Sequence, residues 1–185
     1  PEKRAIIENV LSTPKQTNIS LRKASHFLPD IIAVGSSTGG PQALSVFLKS
    51  FPREVNLPIV ITQHMPPTFT AILAEHLSRD SGILCKEAQN GDIIENGKCY
   101  VAPGGKHMTV ELVGIQKRIK ILDTPPENFC KPSVDPMLRS LAEIYGPKIL
   151  IVILTGMGSD GLKGASLVVE KGGTVIAQDE ASSVV

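Results

Sequence analysis

The sequence predicts an α/β protein: a three-layer α/β/α sandwich with a mostly parallel sheet and an inserted antiparallel β-hairpin. Three observations carry this prediction. Apolar, β-branched runs alternate with stretches whose apolar residues recur at helical spacing, which is the sequence form of βαβ units. Two of the runs, IIAV at 31–34 and ILIVIL at 149–154, are apolar at every position, as suits strands covered by helices on both faces. Between residues 107 and 122 the pattern changes to two alternating runs joined at Gly114, the form of a hairpin.

In chain order, IIAV is the first strand and PQALSVFLKSF the helix after it. PIVIT at 58–62 is the second strand. It is followed by a helix from Thr68 whose core-facing stripe is expected to be Phe69, Ile72, Leu73, His76 and Leu77. CYVAPGG leads into the hairpin HMTVELV and KRIKIL. A loop over 123–133 rich in Pro, Asn and Lys opens a helix with Met137, Leu138, Leu141, Ala142 and Tyr145 on one side. ILIVILT, the helix GLKGASLVVEKGG and the run TVIAQ complete the alternation. Residues 1–28 mix charge, Ser, Thr, Asn and Pro around one short helical pattern (Ile6, Ile7, Val10, Leu11) and are expected to be a linker or arm, with the folded domain over 29–185.

Composition bounds the function. With 42% hydrophobic and 20% charged residues over 185 positions, the chain has the makeup of one globular domain. Lys+Arg 19 against Asp+Glu 18 leaves a formal charge of +1, too little basic excess to track a phosphate backbone, so no nucleic-acid partner is expected. No run approaches the roughly 18 apolar residues of a membrane span, and PEKRAIIENV lacks the apolar centre of a signal peptide. No membrane insertion and a cytoplasmic location are expected. Cys85, Cys99 and Cys130 lack CxxC spacing and are expected to be reduced, buried thiols; neither a metal nor a cofactor is called for.

In open parallel sheets ligands bind beyond the carboxyl ends of the strands, which directs attention to three loops. The first is GSSTGGP at 35–41, whose residues 35–39 fit G-x-S-x-G around Ser37, with Pro41 suited to a first helical turn. A hydroxyl there stands beside a helix N-terminus that favours developing negative charge. The second is QHMPP, which places His64 just after PIVIT, and the third is GMGSDG, which places Asp160 after the most hydrophobic run. A nucleophile, a base and a group that orients the base are the three parts of an activated serine. GMGSDG also fits the G-x-G-x-x-G of a dinucleotide (NAD-type) site, with Asp179 about 20 residues on, although a carboxylate at 160 would repel a pyrophosphate in that loop. A non-catalytic adaptor is a third reading. His107 is left outside the catalytic set, and Arg139 reads as part of a solvated helix face or as a contact for an acidic helix.

The stretches IIAVGSSTGGP, VITQHMPPTFT, YVAPGGKHM, KPSVDPMLRSLA, ILTGMGSDGLKGA and GGTVIAQDEASSVV resemble the catalytic domain of the chemotaxis protein-glutamate methylesterase family (CheB), over about residues 30–185. The resemblance implies hydrolysis of methyl esters on receptor glutamates with release of methanol, and deamidation of receptor glutamines, without a cofactor. It implies Ser37 as nucleophile, His64 as base, Asp160 as its orienting partner, and the backbone N–H groups of Thr38 and Met157 as oxyanion donors. The partners it implies are the cytoplasmic helices of methyl-accepting chemoreceptors and a regulatory receiver domain phosphorylated by a histidine kinase. On this resemblance residues 1–28 are expected to be the arm from a missing N-terminal receiver domain, and the C-terminal end of the domain is expected to be truncated.

Overall fold

The apolar runs lie side by side in one sheet. The computed structural model describes residues 21–52, 54 and 56–185. In chain order the elements are β1 (Ile31–Ser36), α1 (Gly40–Lys49), β2 (Ile59–Gln63), α2 (Phe69–Ser81), β3 (Leu84–Glu87), β4 (Lys98–Val101), β5 (His107–Val113), β6 (Gln116–Leu122), α3 (Val134–Tyr145), β7 (Ile149–Ile153), α4 (Leu162–Glu170) and β8 (Thr174–Ala177). Six strands form a sheet in the order β3-β4-β2-β1-β7-β8, and every neighbouring pair in it is parallel. The expected hairpin is β5 and β6, an antiparallel pair outside that sheet that turns at Gly114 and Ile115.

β1 illustrates why apolar residues at every position suit this arrangement. Ile31 and Ala33 enter one core with Met137, Leu138, Leu141 and Val168 of α3 and α4, whereas Ile32 and Val34 enter the other with Leu44, Leu48, Leu73 and Leu77 of α1 and α2. With period-2 side chains, a strand buried on both faces has no polar positions to spare. β5 packs on α3, where the Val110 N–H donates to Ser140 Oγ at 2.9 Å.

α3 buries the stripe expected for it: Met137, Leu138, Leu141, Ala142 and Tyr145. α2 departs from expectation. Its buried residues are Thr70, Leu73, Ala74 and Leu77, while Phe69, Ile72 and His76 are exposed. The i, i+3, i+4, i+7 pattern is present, but it starts at Thr70, whose hydroxyl is held by Glu87 of β3 at 2.5 Å. A polar residue with an internal partner took the core-facing position that hydrophobicity alone assigned to its neighbours. β3 was not anticipated, because its four residues LCKE carry too weak a pattern to register as a strand.

The short helical pattern expected at residues 6–11 lies outside the described residues, as do residues 1–20 of the expected arm. Residues 21–28 contain no helix or strand, and the Ser25 N–H donates to Thr174 Oγ1 at 3.0 Å beside β8. No described helix is long and apolar enough to cross a membrane.

The sheet order positions the site. β2, β1 and β7 are consecutive and parallel, so their carboxyl ends, which lead to His64, Ser37 and Asp160, open at one edge of the sheet.

Candidate active site

Ser36 and Ser37 are adjacent hydroxyls with opposite fates. Ser36 ends β1 facing inward, is buried, and donates to Gln63 Oε1 at 2.6 Å. Ser37 follows the last strand residue, where the chain turns into α1, and its side chain faces a crevice of about 70 Å³ shared with His64, Met157 and Asp160. The G-x-S-x-G register and the strand's own alternation therefore select the same serine.

The turn is held from both sides. Gln63, the last residue of β2, donates its amide to the Ser37 carbonyl at 2.9 Å and to the His64 carbonyl at 3.1 Å, so one side chain ties the two loops together. The His64 N–H donates to the Ser36 carbonyl at 3.1 Å, and the Ser37 N–H donates to the Thr155 carbonyl after β7 at 3.0 Å. Gly156 passes so close that a Cβ there would lie 2.7 Å from the Ser37 Cβ. Only glycine lets the third loop approach the serine this closely.

His64 Nε2 lies 2.7 Å from Asp160 Oδ2. The carboxylate is nearly enclosed, with 4% of its side chain exposed. It accepts Ser133 Oγ at 2.6 Å, Asn128 Nδ2 at 2.8 Å and the backbone N–H groups of Val134 at 2.7 Å and Asp135 at 3.3 Å. Asp160 thus sits at the free N–H end of α3, across the crevice, while Gly161 occupies the N-cap position of its own helix α4. Burial raises its proton affinity, but the hydrogen bonds from His64, Ser133, Val134 and Asn128 outweigh it and hold the carboxyl well below the usual carboxylate range. It is an ionised acceptor that orients His64 through Nε2–H.

Sequence spacing did not reveal the residues that hold Asp160. Ser133 occupies the N-cap position of α3 yet gives its hydroxyl to Asp160 instead of its own helix. Asn128, in a loop residue with φ 52°, donates to Asp160 Oδ1 and to Oδ2 of the buried Asp135, each at 2.8 Å. His107 is fully buried. Its Nδ1 accepts the Ser133 N–H at 3.1 Å and its Nε2–H donates to the Pro125 carbonyl at 3.0 Å, so it supports the loop and does not line the crevice. The one legible signal was the SVD triplet opening a helix, a capping pattern that gave no hint of a partner in another loop.

Of the other expected residues, Met157 is exposed and lines the crevice, whereas Thr38 is exposed next to Ser37 but is not among the residues lining it. Among the described residues their backbone N–H groups donate to no protein acceptor. Arg139 is engaged by Glu127, whose two oxygens accept its Nη2 at 2.8 Å each. Cys85 and Cys99 are buried thiols as expected, but Cys130 is only partly buried, with Sγ 3.5 Å from His64 Nδ1. The glycines of GMGSDG serve the approach to Ser37 and the turn into α4, and its aspartate is turned to His64 and α3, which leaves no phosphate cradle of the dinucleotide type.

Three comparisons bear on this arrangement. The profile of a family described as CheB methylesterase matches residues 32–185. A protein-glutamate methylesterase/protein-glutamine glutaminase 1 of Paramagnetospirillum magneticum is 59% identical over 168 residues, covering 90% of this chain and 44% of the relative. One of the same name from Rhodospirillum rubrum is 51% identical over 181 residues, covering 97% of this chain and 47% of the relative. The chain therefore spans less than half the length of these curated relatives. The crystal structure of the Thermotoga maritima CheB methylesterase catalytic domain matches with a TM-score of 0.82 and 42% identity, over 85% of this chain and 83% of that one.

Proposed function

The chain belongs to the CheB methylesterase family, and on that premise we propose that it is a serine hydrolase that removes methyl esters from glutamates of chemoreceptors and deamidates receptor glutamines in chemotaxis adaptation. The observation that carries this reading is the crevice lined by both Ser37 and a histidine already oriented by a buried, ionised aspartate.

In the mechanism we assign, Ser37 Oγ attacks the ester carbonyl and passes its proton to His64 Nδ1, the ring nitrogen not bonded to Asp160. Asp160 stabilises the imidazolium through Nε2–H. The N–H groups of Thr38 and Met157 receive the oxyanion. His64 then protonates the leaving methoxide, methanol departs, and water hydrolyses the glutamyl ester of Ser37 by the same route in reverse. For a glutamine the leaving group is ammonia. Ser37 and His64 come into hydrogen-bond contact on substrate binding, since catalytic hydrogen bonds commonly tighten only in the complex.

We assign the cytoplasmic helices of methyl-accepting chemoreceptors as substrate, a cytoplasmic location, residues 29–185 as the catalytic domain, and residues 1–28 as the arm to a receiver domain phosphorylated by a histidine kinase. The test is methanol release from methylated receptor membranes, comparing this chain with Ser37→Ala. Release by the parent and none by the variant supports the proposal. Equal release by both would overturn it.

A further inference from the structure

Cys130 has no part in the mechanism above, yet its sulfur stands at the one ring nitrogen of His64 that Asp160 leaves free, 3.5 Å away. The side chains come from three different loops, and their ligand-type atoms, Cys130 Sγ, His64 nitrogen and Asp160 oxygen, all lie within 4.8 Å of one another. Zinc holds sulfur at about 2.3 Å and imidazole nitrogen at about 2.0–2.1 Å, so in a tetrahedral site the two donors are about 3.5 Å apart. Cys130 and His64 already have that spacing.

The surroundings match such a site in two further ways. A metal-binding histidine usually donates its second ring N–H to a carboxylate, which fixes the tautomer and aims the lone pair. Asp160 does this for His64, and its oxygens are themselves fixed by Ser133, Asn128 and the α3 backbone, so it would serve from behind the ring without leaving its place. The thiolate and the carboxylate together supply two negative charges next to a dication. His64 lines the crevice and Cys130 is only partly buried, so neither ligand is sealed from water.

We propose that Cys130 and His64 form an inhibitory site for a thiophilic divalent cation of the zinc class, bound through Sγ and Nδ1, with Asp160 orienting the ring. On binding, the Cys130 thiol releases its proton to solvent as the sulfur–metal bond forms, and neutral His64 contributes the Nδ1 lone pair. No electrons are transferred. The inhibition rests on the functional reading above, because the cation occupies the nitrogen that takes the Ser37 proton; the binding itself does not. Hard cations such as magnesium prefer oxygen ligands and do not compete for this pair. Without metal, burial and the Asp160 charge push the Cys130 thiol up, so the sulfur is a protonated neighbour of the base and not a competing nucleophile.

The experiment separates binding from activity. Cadmium, a zinc-class probe, is titrated into the reduced chain, and the ultraviolet thiolate-to-metal charge-transfer band is followed in the parent, in Cys130→Ser and in His64→Gln, each checked for its fold by circular dichroism. The proposal expects a saturable one-equivalent band that is absent in Cys130→Ser and at least about tenfold weaker in affinity in His64→Gln, as for loss of one ligand contact. Zinc should then inhibit methanol release, and the zinc concentration for half-inhibition, taken relative to each protein's own rate, should rise at least about tenfold in Cys130→Ser. A band that survives in Cys130→Ser would place the metal on Cys85 and Cys99, which face each other in register across β3 and β4, and would overturn the proposal. Absence of any band, or a band unchanged in His64→Gln, would overturn it as well. A band with the expected variant pattern in a chain without esterase activity would uphold the site and instead refute the functional reading.

Discussion

Gln63 donates its side-chain amide to the Ser37 carbonyl oxygen at 2.9 Å. The residue before His64 thereby fixes the backbone of Ser37, and its other end accepts Ser36 Oγ, so both N–H groups and the oxygen of a buried amide are engaged. Distances between the loops after β1 and β2 are consequently set by a core side chain, in keeping with the tolerance of about an ångström that catalysis allows.

From this follows a distinction between the two serines. Ser37→Ala is expected to lower methanol release by at least about 10³-fold with almost no change in Tm, because Ser37 Oγ lines a crevice. Ser36→Ala removes a buried hydrogen bond and is expected to cost about 1–3 kcal/mol of stability while retaining most turnover. Parallel assays of methanol and thermal unfolding check both; the reverse pattern would transfer the nucleophile to Ser36.

Asp160→Asn keeps the shape of the side chain but removes its charge and brings an amide N–H against one of the donors that surround it. Turnover should fall by roughly 10² to 10⁴, by analogy with the serine-protease aspartate. Near-parental turnover across neutral pH would remove Asp160 from the mechanism.

The same carboxylate makes stability depend on pH. Its folded pKa lies below the unfolded value of about 3.9, so the folded state binds the proton less readily and the stabilisation is complete above that value. It begins to be lost as pH falls below about 4 and is gone only once pH has fallen through the lower folded pKa. Urea unfolding of the parent and of Asp160→Asn from pH 7 to pH 3 should therefore give curves that differ most near neutrality and draw measurably closer below about pH 4; a constant gap would mean that the ionised form gains nothing from the fold.

Ser133→Ala and Asn128→Ala each take one donor from Asp160. A hydrogen bond to a charged group contributes about 1.5–3 kcal/mol, so each variant should lose stability of that order. Turnover should fall by about tenfold as His64 loses its fixed partner. Loss of stability without any change in turnover would show Asp160 to be held well enough by the α3 backbone alone.

Gly156→Ala tests the close approach of the third loop. The new Cβ would meet the Ser37 Cβ at 2.7 Å, and backbone must shift to relieve it. If Ser37 is the nucleophile proposed above, a displacement of this size is expected to cost about 10²-fold in turnover. A crystal structure of the variant with Ser37 unmoved and full activity would contradict the contact.

The sequence by itself determined the parallel α/β fold, because strands buried on both faces must be apolar throughout and helices on a sheet must repeat every third or fourth residue. It also determined Ser37, His64 and Asp160 as candidates, because loops at strand ends that break the apolar pattern with reactive side chains stand out from it. The core face of α2 was misread, since hydrophobicity does not register that Thr70 is satisfied by Glu87. Only the tertiary structure decided which groups surround Asp160. Ser133, Asn128 and the free N–H groups of α3 lie 25 to 32 residues away along the chain and reach it from another helix's N-terminus, a relation with no periodicity to read. Cys130, 66 residues from His64, belongs to the same class: spacing cannot show it, because two loops meet there only when the sheet order and the hairpin have brought their elements together.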